Sequence, residues 1–212
     1  MTRVFLLSPA YCGGRRTKAL LRPDSEMALA VQLREGRLTI GEAFSFVSGL
    51  YFRGKLTYAR AFEPDRTLII TPTRGLQRPD AILTPDVIRE FATIDIASND
   101  ERYTTPLARD LATLAASLPT PRRVVLLGSI ATGKYVNMLA DVFGASLLYP
   151  PSFIGRGDMS RGGLLLRSAR AGEELEYDVL DPAAKRRGPR PPKLPPQERT
   201  QDRTPVVFFR KV

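Results

Sequence analysis

The alternation of short apolar runs with segments of helical periodicity is the feature that most restricts the fold of this chain. The runs are rich in β-branched residues and predict buried strands, whereas the segments between them repeat apolar residues every three or four positions. Strands that alternate with helices form a mostly parallel sheet covered by helices. The predicted strands are Arg3–Ser8, Thr67–Thr71, Val124–Leu127, Ala145–Tyr149, Gly163–Arg167 and Glu174–Val179.

The same reading places helices between these strands and an antiparallel pair at the end of the sheet. The last two predicted strands are joined through Ala171-Gly172 and are expected to form a hairpin. The fold class is therefore α/β, with a mostly parallel or mixed sheet, covering helices and a C-terminal antiparallel hairpin. The helices are expected from Asp24 or Ser25 to Arg34, from Ile40 to Gly49, from Ser48 to Phe62, and over Pro85–Phe91, Leu107–Leu118 and Lys134–Phe143.

The composition changes after Asp181, where the chain becomes rich in proline and basic residues. We predict one α/β domain over residues 1–181 and a Pro-rich basic tail over residues 182–212. The formal net charge is +10, and the tail holds nine Lys and Arg residues against only Glu198 and Asp202. Such a charge favours a polyanionic partner, which we expect to be nucleic acid. The tail could also bind a protein partner.

Residue usage excludes several classes of site. The chain has no histidine and one cysteine, Cys12. It therefore cannot form a His-dependent nucleophile triad, an internal disulfide or a cysteine-based metal site, and we expect no metal and no cofactor. No apolar run has the length of a membrane span, and the apolar start of the chain is too short for a signal peptide. We expect a cytoplasmic protein without a membrane partner.

The segment Gly128 to Lys134 has the spacing G-x-x-x-x-G-K of a phosphate-binding loop between a strand and a helix. The next position, which must supply a hydroxyl to Mg²⁺ in an NTPase, is Tyr135, and no later strand ends in an acid that would also hold the metal. We therefore do not expect an NTPase. Two alternatives remain: a helix N-terminus that binds another anion or a nucleotide, and a tight turn without a ligand.

A second candidate site is the glycine-flanked loop that contains Arg156, Asp158 and Arg161. Glycines permit close backbone approach, and two arginines can hold a phosphate while Asp158 activates water or orients an arginine. The alternative is a surface turn in which an Arg–Asp pair has only a structural role.

Basic residues also occur beside aromatic residues and beside strand ends. Arg53 and Lys55 follow Tyr51 and Phe52, a combination suited to phosphate contact and base stacking, although an amphipathic helix explains it equally well. Ligands of open α/β sheets bind outside the carboxyl ends of strands. If strands one and three are parallel neighbours, the loops after them converge there. These loops contain Arg15 and Arg16 after strand one, and Gly128, Ser129 and Lys134 after strand three.

Five segments, in the same order, resemble the YaaA-like peroxide stress-response proteins. They are VFLLSPAYC, FSFVSGLYFRGKLTYA, TLIITPTRGLQRPDAILTPD, GSIATGKYVNML and GRGDMSRGGLLLR. The resemblance implies an α/β fold with a mixed sheet, a positively charged groove and DNA binding connected with protection from oxidative damage. It also makes Tyr135 the family tyrosine. The chain departs from the family pattern at Lys134, where the family has an acid, and in the Pro-rich tail.

Three functions agree with these features. The first is a nucleic-acid-binding protein, with DNA preferred over RNA, that acts in DNA protection, repair or the oxidative stress response. The second is a nucleotide- or base-processing enzyme, such as an N-glycosidase, in which Asp158 is the general base and Gly128-Ser129 holds the base or phosphate. The third is an interaction module that binds a partner through the tail.

Overall fold

A six-stranded mixed sheet forms the centre of the protein, as seen in a computed structural model that describes residues 2–96, 99–131, 133, 135–180, 188–192 and 194. The strand order is β3-β2-β1-β4-β5-β6. Strands β2, β1, β4 and β5 are parallel to their neighbours in this group, whereas β3 and β6 are antiparallel at the two edges. The strands are β1 (Thr2–Leu7), β2 (Thr67–Ile70), β3 (Leu76–Gln77), β4 (Arg122–Leu127), β5 (Leu147–Tyr149) and β6 (Asp178–Val179).

Eight α-helices in the described part of the chain cover the two faces of this sheet, which confirms the predicted α/β class. None of the helices in this part is both long enough and apolar enough to cross a membrane. The helices are α1 (Arg15–Leu20), α2 (Ala28–Arg34), α3 (Ile40–Ser48), α4 (Leu50–Phe62), α5 (Pro85–Ala92), α6 (Glu101–Ser117), α7 (Val136–Phe143) and α8 (Asp158–Ala171), with single 3₁₀ turns at Gly144–Ser146 and Pro151–Phe153.

Alternating side chains of β1 and β4 divide the core into two clusters. Phe5 and Leu7 point to the face covered by α1 to α5 and α8, whereas Val4 and Leu6 point to the face covered by α6 and α7. All four side chains are buried. A strand that is buried on both faces is apolar at every position, which is why these strands appear as continuous apolar runs in the sequence.

The predicted strand Gly163–Arg167 is wrong, because these residues lie inside helix α8. The run Leu164-Leu165-Leu166 has the local composition of a strand, but helix α8 begins at Asp158 and ends at the left-handed Gly172. The expected antiparallel edge is nevertheless present. It is formed by β6 on β5, so only the end of the predicted strand Glu174–Val179 joins the sheet.

Other differences concern the ends of elements. Helix α6 begins at Glu101, well before the predicted Leu107, because the Asp100 side chain accepts a hydrogen bond from the Arg102 backbone and caps the helix. Helix α1 and the two-residue strand β3 were not predicted. The parallel pairing of β1 with β4, with Leu7 opposite Leu127, confirms that the loops after these strands are neighbours.

Helices α4 and α8 touch backbone to backbone at two glycines. A Cβ atom added to Gly54 would lie 2.7 Å from the Gly162 carbonyl oxygen, and one added to Gly162 would lie 2.7 Å from the Leu50 carbonyl oxygen. Neither helix can carry a side chain at this crossing. The contact therefore sets the spacing between the first turns of both helices.

Candidate functional site

The carboxyl ends of β1 and β4 meet at Ser8 and Gly128. The Ser8 N–H donates to the Leu127 carbonyl oxygen at 3.1 Å and continues the pairing of the strands by one residue. A Cβ atom on Gly128 would lie 2.8 Å from both the Ser8 Cβ and the Tyr135 hydroxyl oxygen. Gly128 is therefore required here because it lets Ser8 and Tyr135 approach each other, which differs from the predicted role in holding a phosphate.

Lys55 is buried beneath this strand end. Its side chain extends from helix α4, is only 1% exposed, and its Nζ donates to the Ser8 carbonyl oxygen at 2.7 Å. The Nζ also lies 2.8 Å from the Ser8 Oγ, and within 5 Å of the ring centres of Tyr51 (4.7 Å) and Phe52 (4.6 Å). Among the ion pairs of the described residues, none includes Lys55.

Burial lowers the pKa of Lys55 to about 7, because an ammonium ion loses its hydration in this environment. The negative charge of Asp158 opposes this shift, and the positive charge of Arg161 adds to it. A lysine with such a pKa exchanges protons near neutral pH, as required of a general acid or base.

Tyr135 is the third polar group at the strand ends. Its hydroxyl donates to the Ser129 carbonyl oxygen at 2.8 Å and the side chain is buried. Burial raises the pKa of this phenol to about 12, although a hydrogen bond with Ser8 acts in the opposite direction. The phenol is therefore protonated at neutral pH and can serve as a hydrogen-bond donor.

Asp158 and Arg161 contribute from the first turn of helix α8. Arg161 is buried, and its Nε donates to the Phe153 carbonyl oxygen at 3.2 Å. Its NH1 group lies 3.2 Å from the Asp158 carboxylate, whose side chain is 69% exposed. The pair agrees with the predicted alternative in which Asp158 orients an arginine, and it leaves most of the carboxylate accessible.

A cavity of about 330 Å³ opens above these groups. Asp95 and Asp158 are its charged lining residues, and no basic side chain of the described residues lines it. Its size and mixed surface are those of a small-ligand site. The other lining residues are Ser8, Pro9, Ala10, Tyr11, Cys12, Ser48, Tyr51, Pro72, Phe91, Ile94, Ile96, Ser129 and Tyr135.

The predicted cationic residues are not brought together as one phosphate site. Arg15, Arg16 and Arg53 are exposed and do not line the cavity, although Arg16 donates to the Phe46 carbonyl oxygen at 3.0 Å. Lys55 and Arg161 are buried behind the cavity wall. Lys134 lies outside the described residues.

Arg156 holds the chain instead of facing the cavity. Its guanidinium donates to the Ser152 carbonyl oxygen at 3.0 Å, to the Ser160 Oγ at 3.2 Å and to the Pro192 carbonyl oxygen at 3.4 Å. Beside it, Gly155 has a φ of +73° and leaves space for the Pro189 carbonyl. Part of the Pro-rich segment therefore packs on the loop that leads into helix α8.

Sequence reasoning missed Ser8 as a functional residue. Its signal was its position, since it is the first polar side chain after a buried strand and precedes the loop where ligands of open sheets bind. Cys12 is a buried small side chain. Burial raises the pKa of its thiol to about 12, so the thiol is not activated.

The described residues contain no cluster of three or more acidic, cysteine or histidine side chains that could hold a metal ion. The polar side chains that the site offers for chemistry are Ser8, Lys55, Tyr135 and Asp158. Comparison of the chain with protein-family models, with curated proteins and with solved structures gives no match.

Proposed function

We propose that this protein binds nucleic acid and receives a single base in the cavity at the carboxyl ends of β1 and β4. The observation that carries the proposal is the lining of that cavity. Its aromatic lining residues are Tyr11, Tyr51, Phe91 and Tyr135, of which Tyr11 is the exposed one, and Asp95 and Asp158 add carboxylates, with no basic side chain among the described lining residues. Such a surface suits a neutral ring with polar edges and repels a phosphate.

The basic groups are suited to the phosphates outside the cavity. Arg15 and Arg16 are exposed directly after the cavity-lining loop of residues 8–12, and Arg53 is exposed two residues after Tyr51. The net charge of +10 favours a polyanion. Proteins that turn one nucleotide out of a duplex bind its base in a cavity and bind the phosphate backbone around the edge of that cavity. The YaaA-like resemblance favours DNA and a role in DNA protection, repair or oxidative stress.

A test of this proposal compares three DNA duplexes of one length: fully paired, with a central mismatch, and with a central abasic site. The mismatched duplex should bind more tightly than the paired one, because an unpaired base leaves the stack at lower cost. The abasic duplex should lose this advantage. Equal affinity for all three duplexes would contradict the use of the cavity for a base.

The matched variants are Asp158→Asn and Asp86→Asn. Both aspartates lie in the first turn of a helix and pair with an arginine three residues later, but only Asp158 lines the cavity. Asp158→Asn should change the preference for the mismatch, and Asp86→Asn should leave it unchanged. Equal effects of the two substitutions would show that the aspartate acts on stability alone.

The second candidate is a base-processing enzyme of the N-glycosidase type, favoured by the exposed carboxylate of Asp158 in the cavity wall. A carboxylate there can take a proton from water that attacks a glycosidic carbon. Release of free base from damaged DNA, followed by chromatography, should then be abolished by Asp158→Asn while binding persists. Release of base that persists in Asp158→Asn would exclude Asp158 as the general base.

The tail is proposed to add affinity without selectivity. It carries seven of the ten net positive charges, and phosphate contacts weaken steeply with salt. Removal of residues 182–212 should flatten the salt dependence of DNA binding and keep the preference for the mismatch. An unchanged salt slope would favour a protein partner for the tail.

A further inference from the structure

The contact between Ser8 and Lys55 is an unusual one for a buried lysine. A buried lysine is normally paired with a carboxylate, because an isolated buried charge is costly. Lys55 is 1% exposed, and the ion pairs of the described residues do not include it. Its polar contacts are the Oγ and carbonyl oxygen of Ser8, at 2.8 and 2.7 Å. Besides the ring faces of Tyr51 and Phe52, the lysine has one serine as its partner among the described residues.

A neutral Lys55 side chain accounts for both of its contacts with Ser8. A neutral amine has two N–H donors and one lone pair. One N–H can donate to the Ser8 carbonyl, which holds the nitrogen in place, while the lone pair accepts the Ser8 hydroxyl proton. This is the arrangement of a nucleophile and its general base at hydrogen-bond distance.

Ser8 is also the member of the pair that reaches the cavity. Ser8 lines the space of about 330 Å³ and Lys55 does not, so the hydroxyl lies between the base and any ligand. The Tyr135 hydroxyl borders the same position across Gly128. A ligand atom placed against Ser8 would therefore meet an oxygen nucleophile beside a phenol oxygen whose proton is bonded to the Ser129 carbonyl.

We propose that Ser8 is a catalytic nucleophile with Lys55 as its general base, and that the cavity hydrolyses a small ester or amide. The Ser8 Oγ bonds to the acyl carbon while its proton passes to Lys55 Nζ. The bond from the acyl carbon to the alcohol or amine breaks, and Lys55 returns the proton to this leaving group. Water then attacks the acyl carbon and gives its proton to Lys55. The bond from the acyl carbon to Ser8 Oγ breaks, Lys55 returns the proton to Oγ, and the carboxylic acid departs.

The charge of the cavity defines the substrate further. Asp95 and Asp158 line it, so an anionic acyl group is repelled and a neutral or cationic one is accepted. The volume limits the substrate to a small molecule or one terminal group of a larger one. The inference concerns Ser8 and Lys55 and does not depend on whether the cavity receives a nucleic-acid base.

The direct test is covalent labelling of the full chain. A fluorophosphonate probe, which reacts with activated serines, should add to one residue at pH 8, and peptide mass spectrometry should locate the adduct on Ser8. No adduct, or an adduct elsewhere, would overturn the proposal. This result is read on the native chain, so it stands even if a variant fails to fold.

Substitutions then distinguish a serine that is activated by Lys55 from a serine that reacts only because it is accessible. Ser8→Ala should abolish labelling and hydrolysis of p-nitrophenyl acetate, and Lys55→Met should slow labelling at least 100-fold, the range of general-base catalysis. The control is Ser168→Ala, because Ser168 is also buried and bonded to a backbone carbonyl but lies near the far end of helix α8. Labelling of Lys55→Met at the parental rate would exclude the lysine as the base.

The pH profile gives a readout that a structural role would not produce. The charged and titratable groups facing Lys55 are Tyr51, Asp158 and Arg161. Burial raises the pKa of Tyr51 and lowers that of Lys55 to about 7. The labelling rate should rise with pH and level off above about 7. A rate that continues to rise up to the ordinary range of lysine would contradict the assignment.

Discussion

Arg3, at the amino ends of the parallel strands, and Lys55, at their carboxyl ends, are stabilised in opposite ways. At the amino ends, Arg3 contacts the carboxylates of Glu63 and Glu174 and donates to the Phe62 carbonyl oxygen. Burial lowers the pKa of Arg3, but the hydrogen bond and charge of Glu174 outweigh this and raise it overall. At the carboxyl ends, the polar partner of Lys55 among the described residues is Ser8 alone.

The difference separates a cation that holds the fold from a cation prepared for chemistry. Arg3 is neutralised by two acids, so its charge is permanent and its role is to join β1 to α4 and to the segment before β6. The site of Lys55 lacks this compensation, so its proton is held weakly. A lysine with a perturbed pKa beside a cavity indicates a functional site more strongly than a paired arginine at the amino end of a strand.

The largest expected effect on stability comes from Gly162→Ala, which disrupts the helix packing next to the site at the carboxyl ends of the strands. The new Cβ would lie 2.7 Å from the Leu50 carbonyl oxygen, so helices α4 and α8 must separate. We expect the free energy of unfolding to fall by about 2 to 3 kcal/mol, as in other overpacked cores.

The control is the adjacent Gly163→Ala. Its Cβ would meet only the Leu194 side chain at 3.8 Å, an ordinary contact. Alanine is a better helix former than glycine, so this variant should match the parent or gain up to about 1 kcal/mol. Chemical denaturation measures both variants. Equal losses at the two glycines would show that the helix crossing is not a close contact in solution.

The second effect is a dependence of stability on pH that originates at Lys55. The folded protein holds this lysine at a pKa of about 7, below the ordinary 10.5, so the unfolded chain binds more protons between these values. The free energy of unfolding should therefore rise with pH above 7, by roughly 1.5 kcal/mol up to pH 8.5. Lys55→Met should abolish the rise, and Arg3→Met should retain it.

The pH range of this measurement ends at 8.5 because the titration of Cys12 changes the free energy of unfolding in the opposite direction at higher pH. Burial raises the pKa of its thiol to about 12 from the ordinary 9.0, so stability is lost as pH rises past the ordinary value. Urea titrations from pH 7 to 8.5 therefore isolate the lysine. A flat profile in the parent protein would mean that Lys55 stays charged when buried.

The third effect is the loss caused by Arg3→Met at the amino ends. Its ion pairs are partly exposed, so we expect a decrease of about 1 kcal/mol in the free energy of unfolding. Added salt should shrink this difference, because salt screens ion pairs near the surface. The change caused by Lys55→Met should not respond to salt. The same salt response in both variants would remove the distinction between the two ends.

The smallest effect distinguishes two buried phenols. The Tyr135 hydroxyl donates to the Ser129 carbonyl oxygen, whereas the Tyr103 hydroxyl is buried without a partner among the described residues. Tyr135→Phe should lose about 0.5 to 1 kcal/mol, and Tyr103→Phe should lose nothing or gain slightly. Thermal unfolding of the pair provides the measurement. A loss of stability in Tyr103→Phe but not in Tyr135→Phe would show that the Tyr135 hydrogen bond does not stabilise the fold.

The sheet was predictable because its information is local. Strands that are buried on both faces of the sheet appear in the sequence as continuous apolar runs. The alternation of these runs with helices implies parallel neighbours such as β1 and β4. Helix α8 was not predictable in the same way. Its Gly162 is unfavourable in an isolated helix and is explained only by the approach of Gly54 from helix α4, which no local pattern contains.

The site illustrates the same limit. Lys55 was selected by its neighbours in sequence as a phosphate contact, but the fold turns it inwards to Ser8. Helical periodicity places Lys55 and Phe52 on the same face of the helix, but it does not indicate that a cation is buried on that face. Asp158 was predicted from a glycine-rich loop that is in fact a helix start, and it lines the cavity from the first turn of that helix.

The glycine crossing of helices α4 and α8 also determines the route by which a ligand travels. Two helices that touch through their backbones leave no passage between them, so the wall behind Lys55 is closed to solvent. The loop after β1 lines the cavity with residues 8–12, and Tyr11 in this loop is 74% exposed. We expect the rate of ligand exchange to depend on how the Tyr11 ring turns.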